Sequence, residues 1–405
     1  MRATGAMHLG HYHGALKNWV RLQDEHDCFF FVADWHALTT HYEERDIMER
    51  YVYDMVTDWL AAGLDPDKCT IFIQSRLPEH AELFLLLAMG TPLGWLERVP
   101  TYKDQIEKLK DRDLATYGFL GYPLLQAADI LIYKANHVPV GEDQSSHIEL
   151  TREVARRFNS LYGRASNFDA LVAAALAKLP RDDARYFNKQ RKAYGETGSA
   201  EALTKGDGMI AKAVANIAGW SNDDTELLQG HLKGSGKTIL TEPQALHTEV
   251  LRLPGTDGIK MSKSYGNAVL MRDEPATVSK KIKGMVTDPA RARRTDPGDP
   301  EKCPVWQFHK IYSDEATKDW VVKGCTSAGI GCLECKQPVI DAIIKEQQPW
   351  RERAEGYLAR FRKSVVCHLI DGKPDSGSGE TFETASPVDN AAIAIGNFGG
   401  YPPLI

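Results

Sequence analysis

Apolar positions along the chain fall into two kinds of pattern, short continuous runs and longer runs with helical spacing. Residues 28–33 (CFFFVA) and 70–74 (TIFIQ) are mostly apolar runs, which predict two buried strands. Residues 46–62 and 79–89 carry apolar side chains every three or four positions, which predicts two amphipathic helices. Because strands alternate with helices, the pattern indicates an α/β fold with a doubly wound, Rossmann-like parallel sheet.

The middle of the chain continues this alternation and is then interrupted. A helical pattern ends at Leu131, residues 138–140 predict a strand, and a second helical pattern begins at Ser145. Residues 164–238 differ in composition, and we interpret them as an insertion, with a short strand (TIL, 238–240) at its end. Turns are predicted there at four glycines, namely Gly195, Gly198, Gly206 and Gly208.

Beyond residue 270 the pattern is helical and basic, which predicts a C-terminal all-α domain. The basic side chains are Lys280, Lys281, Lys283, Arg291, Arg293 and Arg294. From residue 376 the composition is typical of a linker. We divide the chain into a first catalytic part (1–163), the insertion (164–238), a second catalytic part (239–270), the helical domain (271–372) and a tail of unknown role (373–405).

Composition limits the class of protein. The 405 residues are 43% hydrophobic and 26% charged, which is usual for a globular chain. No apolar run reaches the roughly 18 residues of a membrane span, and the first residues lack the pattern of a signal peptide, so we expect a cytoplasmic protein. The net charge of −6 argues against a generally basic nucleic-acid coat and leaves room for a local basic face.

A glycine-flanked segment, TGAMHLGHYHG at 4–14, stands directly before a helical pattern. A helix start offers free N–H groups and a positive dipole end, which suits phosphate, and His8 and His11 can donate to phosphoryl oxygens. Gly10 leaves space in which a base or ribose could approach. Taken alone, such a segment is usually only a turn. Residues 1–3 alone precede it, so the strand that this fold requires before the helix is missing or very short.

A second segment, GIKMSKSYGN at 258–267, places Lys260 and Lys263 in a short loop with hydroxyl side chains. By itself this is a solvated basic loop. HLGH and KMSKS, about 250 residues apart, together resemble the two signatures of class I aminoacyl-tRNA synthetases. The further blocks ADWHALT, FIQSRLPEHAE, AADILIY and VPVGEDQ narrow the resemblance to bacterial tryptophanyl-tRNA synthetases, over about residues 1–160 and 240–350.

The resemblance implies a two-step reaction and a set of site residues. L-Tryptophan attacks the α-phosphorus of ATP, and the acyl group of the adenylate then passes to the 3′ end of tRNA(Trp). Because the carboxylate is already a nucleophile, the protein positions substrates and stabilises phosphate charge, with Mg²⁺ held mostly through water. The residues implied in catalysis are His8, His11, Lys260 and Lys263. Those implied in ATP binding are Arg2, Ala3, Thr4, Gly10, His11, Gly141, Glu142, Asp143, Leu251, Lys260, Met261, Ser262, Lys263 and Ser264. Those implied in tryptophan binding are Asp129, as acceptor of the indole N–H, with Gln126, Val138, Val140 and Gln144.

Four cysteines crowd into one span of the helical domain, with the spacing C-x21-C-x6-C-x2-C. They are Cys303, Cys325, Cys332 and Cys335. Four thiolates suit either tetrahedral Zn²⁺ or a [4Fe–4S] cluster, and free thiols are the third possibility. A subset of bacterial tryptophanyl-tRNA synthetases carries a [4Fe–4S] cluster beside the anticodon site with nearly this spacing, so the resemblance implies the cluster.

Two rival functions remain at this point. A tyrosyl-tRNA synthetase shares the fold and both signatures, but the GEDQ block resembles the tryptophan enzymes. A non-catalytic paralogue would bind tRNA or tryptophan without the reaction, and the intact signatures argue against it. The resemblance also implies a homodimer with its interface near residues 75–125, and no membrane or DNA partner.

Overall fold

The computed structural model describes residues 1–41, 45–100, 116–141, 144–247 and 253–361, with two short strands at 368–370 and 373–375. The chain forms two compact units: the first comprises residues 1–74 and 249–405, and the second comprises residues 75–248. Among the described residues, none of the helices combines the length and the apolar character needed to cross a bilayer.

The first 74 residues contain a parallel strand pair flanked by helices. In chain order the elements are α1 (Leu9–His11), a π-helical turn (Tyr12–Leu16), α2 (Lys17–Leu22), β1 (Cys28–Val32), α3 (Asp34–His41), α4 (Arg45–Ala62) and β2 (Cys69–Ile73). β1 and β2 pair in parallel, as the alternating pattern predicted. Arg2 forms a single parallel bridge with Ala33, and the Ala33 N–H donates to the carbonyl of Met1 at 2.8 Å. Where the sequence predicted a strand that is missing or very short, the structure has this single bridge.

The second unit repeats the strand and helix alternation. Its elements are α5 (Glu79–Gly90), α6 (Leu93–Glu97), α7 (Tyr117–Leu131), β3 (His137–Val140), α8 (Ser145–Tyr162), α9 (Phe168–Ala177), α10 (Arg181–Thr197), α11 (Ala200–Asn216), α12 (Asn222–Leu232) and β4 (Gln244–His247). β3 and β4 pair in parallel. The helical ends predicted at Leu131 and Ser145 agree with α7 and α8.

The region interpreted as an insertion consists of helices α9 to α12 around a separate apolar core that includes Phe187, Ile210 and Leu228. Three of the four predicted turns are wrong, because Gly195 lies inside α10 and Gly206 and Gly208 lie inside α11. Gly198 is the exception: it ends α10 with a left-handed backbone, φ +65°. The core thus overrides the local preference of the three helical glycines.

The strand predicted at 238–240 is also wrong, because the strand of this region is β4. The buried side chain of Asn159 takes the place of a strand partner. Its Oδ1 accepts from the N–H groups of Ile239 and Leu240 at 2.9 Å each, and its Nδ2 donates to the Leu240 carbonyl at 2.8 Å. A single amide thereby satisfies this stretch of backbone without a β ladder.

The C-terminal part returns to the first unit and is mostly helical. Its elements are a 3₁₀ turn (Lys263–Tyr265), α13 (Pro275–Gly284), α14 (Pro304–Tyr312), α15 (Glu315–Thr326), α16 (Cys332–Phe361), β5 (His368–Ile370) and β6 (Lys373–Asp375). The long helix α16 packs against α4, and the core between them includes Trp59, Ile343 and Trp350. The predicted basic helix around Arg291, by contrast, is an irregular segment between α13 and α14. The chain is therefore an α/β protein with parallel strands and a helical C-terminal part.

Candidate functional site

The HLGH segment closes on itself as a capping box at the start of α1. His8 is the N-cap, and its Nδ1 accepts from the His11 N–H at 3.2 Å, while the His8 N–H donates to Nδ1 of His11 at 3.4 Å. The two rings stack with their centroids 3.6 Å apart. Because both Nδ1 atoms accept, we assign the protons to Nε2. Each imidazole therefore keeps one N–H donor that the cap does not use.

Burial and nearby lysines keep both rings neutral. Burial lowers the pKa of His8 to about 4, with a further contribution from the charge of Lys263. The pKa of His11 lies well below its usual range, first through burial and then through His8, Lys263 and Lys260. Gly10 also has a local structural role, since a Cβ there would lie 3.0 Å from Nδ1 of His8. The glycine makes room for the stacked His8 ring.

The KMSKS loop is hydrogen-bonded to the segment around HLGH. The Lys263 ammonium donates to the carbonyls of Thr4 and Ala6, the latter at 2.8 Å. The Leu9 N–H donates at 2.9 Å to the carbonyl of Val269, a residue that follows the loop. Burial lowers the pKa of Lys263 to about 8, although Asp58 and Asp54 oppose the shift. The fold thus brings together the two signature segments, which lie about 250 residues apart in the sequence.

Asn267, to which the sequence analysis gave no role, organises the KMSKS loop. Its Nδ2 donates to both carboxylate oxygens of Asp257, at 2.8 and 3.0 Å, and to the Lys260 carbonyl. Its Oδ1 accepts from the Ser262 N–H at 2.7 Å. Met261 is buried, whereas the side chains of Lys260 and Ser264 are exposed. The loop therefore has a fixed base and presents its first lysine to solvent.

Asp58 on α4 is a second residue that sequence reasoning missed. The carboxylate is buried, accepts from the Met7 N–H at 2.6 Å and pairs with the Arg272 guanidinium. Burial raises its pKa, and the charge of Arg272 opposes this. Asp58 ties the segment before His8 to the segment after the KMSKS loop. In the sequence, Asp58 is recognisable only as an acidic residue within a helical pattern, which does not indicate its role.

The other residues implied in ATP binding have varied surroundings. Arg2 is exposed, Ala3 is buried, Thr4 accepts from Lys263, and Gly141 follows strand β3. Glu142, Asp143 and Leu251 lie outside the described residues.

Asp129, the residue implied in indole binding, lies on α7 and is 3% exposed. Its Oδ1 lies 2.6 Å from Nδ1 of His80, whose Nε2 lies 2.7 Å from the Tyr133 hydroxyl. Burial and the charge of Asp129 raise the pKa of Tyr133 to about 12. Sequence reasoning missed His80, although the block FIQSRLPEHAE contains it. The arrangement is a buried carboxylate oriented by a histidine.

The remaining tryptophan candidates lie on neighbouring elements of the second unit. Gln126 is one turn before Asp129 on α7, and its Oε1 is buried with no hydrogen-bond partner among the described residues. Val138 and Val140 belong to β3, and Gln144 is the N-cap of α8.

The four clustered cysteines line one small cavity, together with Asp288, Arg291 and Lys336. None of them forms a disulfide. Burial and the other three thiols raise the pKa of Cys335 to about 12. Arg291 donates to the Cys325 sulfur at 3.7 Å, and Nε2 of His309 lies 3.4 Å from the Cys335 sulfur. Across the described ranges, no three His, Cys, Asp or Glu side chains have the geometry to hold a metal ion.

Comparison with known proteins gives consistent matches. A family model described as tRNA synthetases class I (W and Y) matches residues 1–180 and 225–347. A tryptophan–tRNA ligase of Ralstonia nicotianae is 64% identical over 391 residues, covering 96% of both sequences, and one of Thermotoga maritima is 43% identical, covering 95% of this chain and 94% of the relative. The solved tryptophanyl-tRNA synthetase of Campylobacter jejuni, complexed with ADP and tryptophan, has a TM-score of 0.61 at 26% identity, covering 89% of this chain and 88% of that chain.

Proposed function

The chain belongs to the class I tRNA synthetases of the W and Y family, and we propose that it activates L-tryptophan with ATP and transfers it to the 3′ end of tRNA(Trp). The observation that carries the proposal is the pairing of the HLGH helix start with the KMSKS loop through Lys263. The choice of tryptophan rests on the relative that is 64% identical over 96% of the chain.

We propose that the signature residues act on the triphosphate of ATP. The Nε2–H groups of His8 and His11 donate to phosphate oxygens as neutral groups, while Lys260 and Lys263 supply positive charge. A triphosphate would draw Lys263 from the carbonyls that it now contacts, and Mg²⁺ bound with ATP would offset part of the phosphate charge. The resemblance assigns further ATP contacts to Arg2, Ala3, Thr4, Gly10, Gly141, Glu142, Asp143, Leu251, Met261, Ser262 and Ser264.

We propose that Asp129 selects the indole ring. The contact with His80 fixes the orientation of the carboxylate, and a carboxylate offers several acceptor positions. An apolar slot with one buried acceptor suits an indole N–H. The resemblance assigns the walls of the slot to Gln126, Val138, Val140 and Gln144.

The test is ATP–pyrophosphate exchange with tryptophan and with tyrosine, followed by charging of tRNA(Trp). We expect tryptophan-dependent exchange, and we expect Asp129→Asn to raise the KM for tryptophan while leaving the KM for ATP nearly unchanged. Exchange that depends on tyrosine would favour the tyrosyl-tRNA synthetase. Exchange no faster than that of a Lys260→Ala, Lys263→Ala double mutant would favour a non-catalytic paralogue.

We further propose that the four cysteines hold a [4Fe–4S] cluster, with Zn²⁺ as the alternative. The proposal rests on four thiols around one cavity that also contains Arg291 and Lys336, and the positive charge of Arg291 opposes the rise in thiol pKa that burial causes. When bound, such a group would offset part of the thiolate charge and would cross-link the segments that carry the cysteines. Because Arg291 is buried at this cavity, we do not expect its side chain to contact tRNA phosphates.

Anaerobic purification, absorption near 400 nm and iron and zinc analysis test the cysteine proposal. We expect absorption that Cys332→Ser abolishes and that Cys69→Ser, a buried cysteine on β2, leaves intact. A bound group that orders the anticodon-binding surface would make Cys332→Ser impair tRNA charging more than exchange. Colourless protein with one equivalent of zinc favours Zn²⁺, and protein with neither metal contradicts both versions.

We also propose that the chain is a homodimer, as the resemblance implies. Helices α5, α6 and α7 of the second unit expose large apolar side chains, including Met89, which is 74% exposed. The others are Leu85, Leu86, Leu93 and Tyr117. Light scattering should give twice the chain mass, and Met89→Lys should lower it. Val214→Lys, at an exposed apolar position on α11, is the control that should leave it unchanged.

A further inference from the structure

A π-helical turn, Tyr12–Leu16, begins directly after His11. Such a turn holds one residue more than an α-helical turn, and π turns are rare and frequent at functional sites. Relaxation to an α-helix would shift the register by one residue, or about 100° around the helix axis. The orientation of the HLGH cap relative to α2 therefore depends on whatever fixes this turn.

Two helices of the C-terminal part hold the turn at His13, which is 5% exposed. Its Nε2 lies 2.7 Å from the hydroxyl of Tyr312, the last residue of α14, and 3.2 Å from Oε2 of Glu346 on α16. The Tyr312 hydroxyl in turn donates to the same Glu346 oxygen at 2.7 Å. Three side chains from three helices thus share one closed set of hydrogen bonds.

The protonation of His13 follows from its surroundings. Its Nδ1 is buried and has no hydrogen-bond partner among the described residues, so a proton there would be unsatisfied. We therefore assign the proton to Nε2, from which it is shared between the hydroxyl and the carboxylate. The preceding residue is held as well, because the Tyr12 ring packs against Trp350 of α16 with centroids 4.3 Å apart.

We propose that His13, Tyr312 and Glu346 are positioning residues for ATP. They hold the π-helical turn and thereby aim the His8 and His11 donors at the phosphates. The proposal rests on the proposed function for the identity of the phosphate ligand. It goes further in assigning a role to three residues that belong to neither signature motif.

The test uses substitutions that remove hydrogen bonds and little volume. We expect Tyr312→Phe and Glu346→Leu to weaken binding of a non-hydrolysable ATP analogue about tenfold, and to raise the KM for ATP in exchange by a similar factor. The KM for tryptophan should stay within about twofold of the wild-type value. Glu346→Gln keeps an oxygen acceptor, so it should restore most of the ATP affinity that Glu346→Leu loses.

A purely structural role predicts a different result. Asp224→Asn, which weakens a capping box and an ion pair with Lys178 in the second unit, is the control for a general loss of stability. It should lower the melting temperature without changing ATP affinity. The proposal is overturned if the Tyr312 and Glu346 variants lower only the melting temperature, or if they raise the KM for ATP and for tryptophan equally. Binding of the ATP analogue needs no tryptophan, so a wrong substrate assignment would not obscure this result.

Discussion

Among the residues that the structure describes, two capping boxes of the same geometry occur in very different settings. In α12, Ser221 is the N-cap, Asp224 accepts from its N–H at 2.7 Å, and Ser221 accepts in return at 3.1 Å. Serine and aspartate are ordinary choices there, and the helix packs on an apolar core. In α1, His8 and His11 form the corresponding capping box. The difference is the second nitrogen of each ring, which the cap leaves available as a donor.

The surroundings of the two caps also differ, because an unusual helical turn lies beside the α1 cap and a regular helix follows the α12 cap. The α1 cap is followed by a π-helical turn and approached by Lys263 and Asp58. Helices α9 to α12 have regular geometry around their own core. The histidine capping box and the π-helical turn therefore occur side by side where phosphate chemistry is proposed, whereas helices α9 to α12 contain neither feature.

The largest expected difference between the two regions is the effect of removing a lysine. Lys263→Ala should slow exchange by about 10²–10³-fold, because preorganised charge on a transferring phosphate is worth roughly 3–4 kcal/mol. The matched variant is Lys237→Ala, which removes a lysine paired with Asp223 and Glu226 beside a glycine turn of the insertion. It should leave exchange unchanged. Similar rates for the two variants would contradict the assignment.

A feature of this site could be predicted from the sequence when it depends on residues that are close together along the chain. It could not be predicted when it depends on partners that are far apart along the chain. Hydrophobic spacing predicted β1, β2 and α4 within a residue or two, because those elements follow from local periodicity. The HLGH and KMSKS segments were located because their motifs are contiguous. The roles of Asp58 and His80 depend on partners about 50 residues or more away, Met7 and Asp129, which no local pattern specifies.

The pH dependence of stability should also differ between the caps. The pKa of His8 is about 4 in the folded chain, against an ordinary value of 6.5. Above pH 6.5 the ring is neutral in both states and its contribution is fully present. As the pH falls through this window the unfolded chain takes up a proton first, so the free energy of unfolding falls by roughly 3 kcal/mol.

Denaturant unfolding of the wild type and of His8→Asn between pH 7 and 4 measures this contribution. The wild type should lose stability more steeply than the variant, because asparagine keeps a cap without a titrating ring. Equal slopes would show that the buried ring is not the source.

Replacing the N-cap residues separates capping from donation. His8→Ser retains a good N-cap and removes the Nε2–H, so exchange should fall roughly 10–100-fold, in line with about 1.5–3 kcal/mol for a hydrogen bond to a charged group. Ser221→Ala should cost about 1 kcal/mol of stability and leave exchange unchanged. The comparison fails if His8→Ser behaves like Ser221→Ala.

Glycine-to-alanine substitutions should have smaller effects that differ between the two regions. Gly10→Ala should weaken ATP binding, whereas Gly208→Ala should stabilise its helix. In Gly10→Ala the new methyl group would lie 3.0 Å from Nδ1 of His8, so the stacked ring must shift. We expect a loss of ATP affinity of about tenfold, which corresponds to a binding free energy that is roughly 1.4 kcal/mol weaker. Calorimetry with a non-hydrolysable ATP analogue measures it, and unchanged affinity would show that the ring has room to move.

The smallest effect is expected at Gly208, an exposed position inside α11 where a Cβ meets nothing within 4 Å. Gly208→Ala should stabilise the helix by about 0.5–1 kcal/mol, because alanine loses less backbone entropy and its methyl group has space. Exchange should not change. Gly206→Ala is the internal control, since its Cβ would lie 2.5 Å from a Leu232 methyl carbon, and the gain in helix propensity should be offset. If Gly206→Ala stabilises as much as Gly208→Ala, the core of the insertion is more deformable than its packing indicates, and it accommodates a new methyl group as easily as the exposed face of α11.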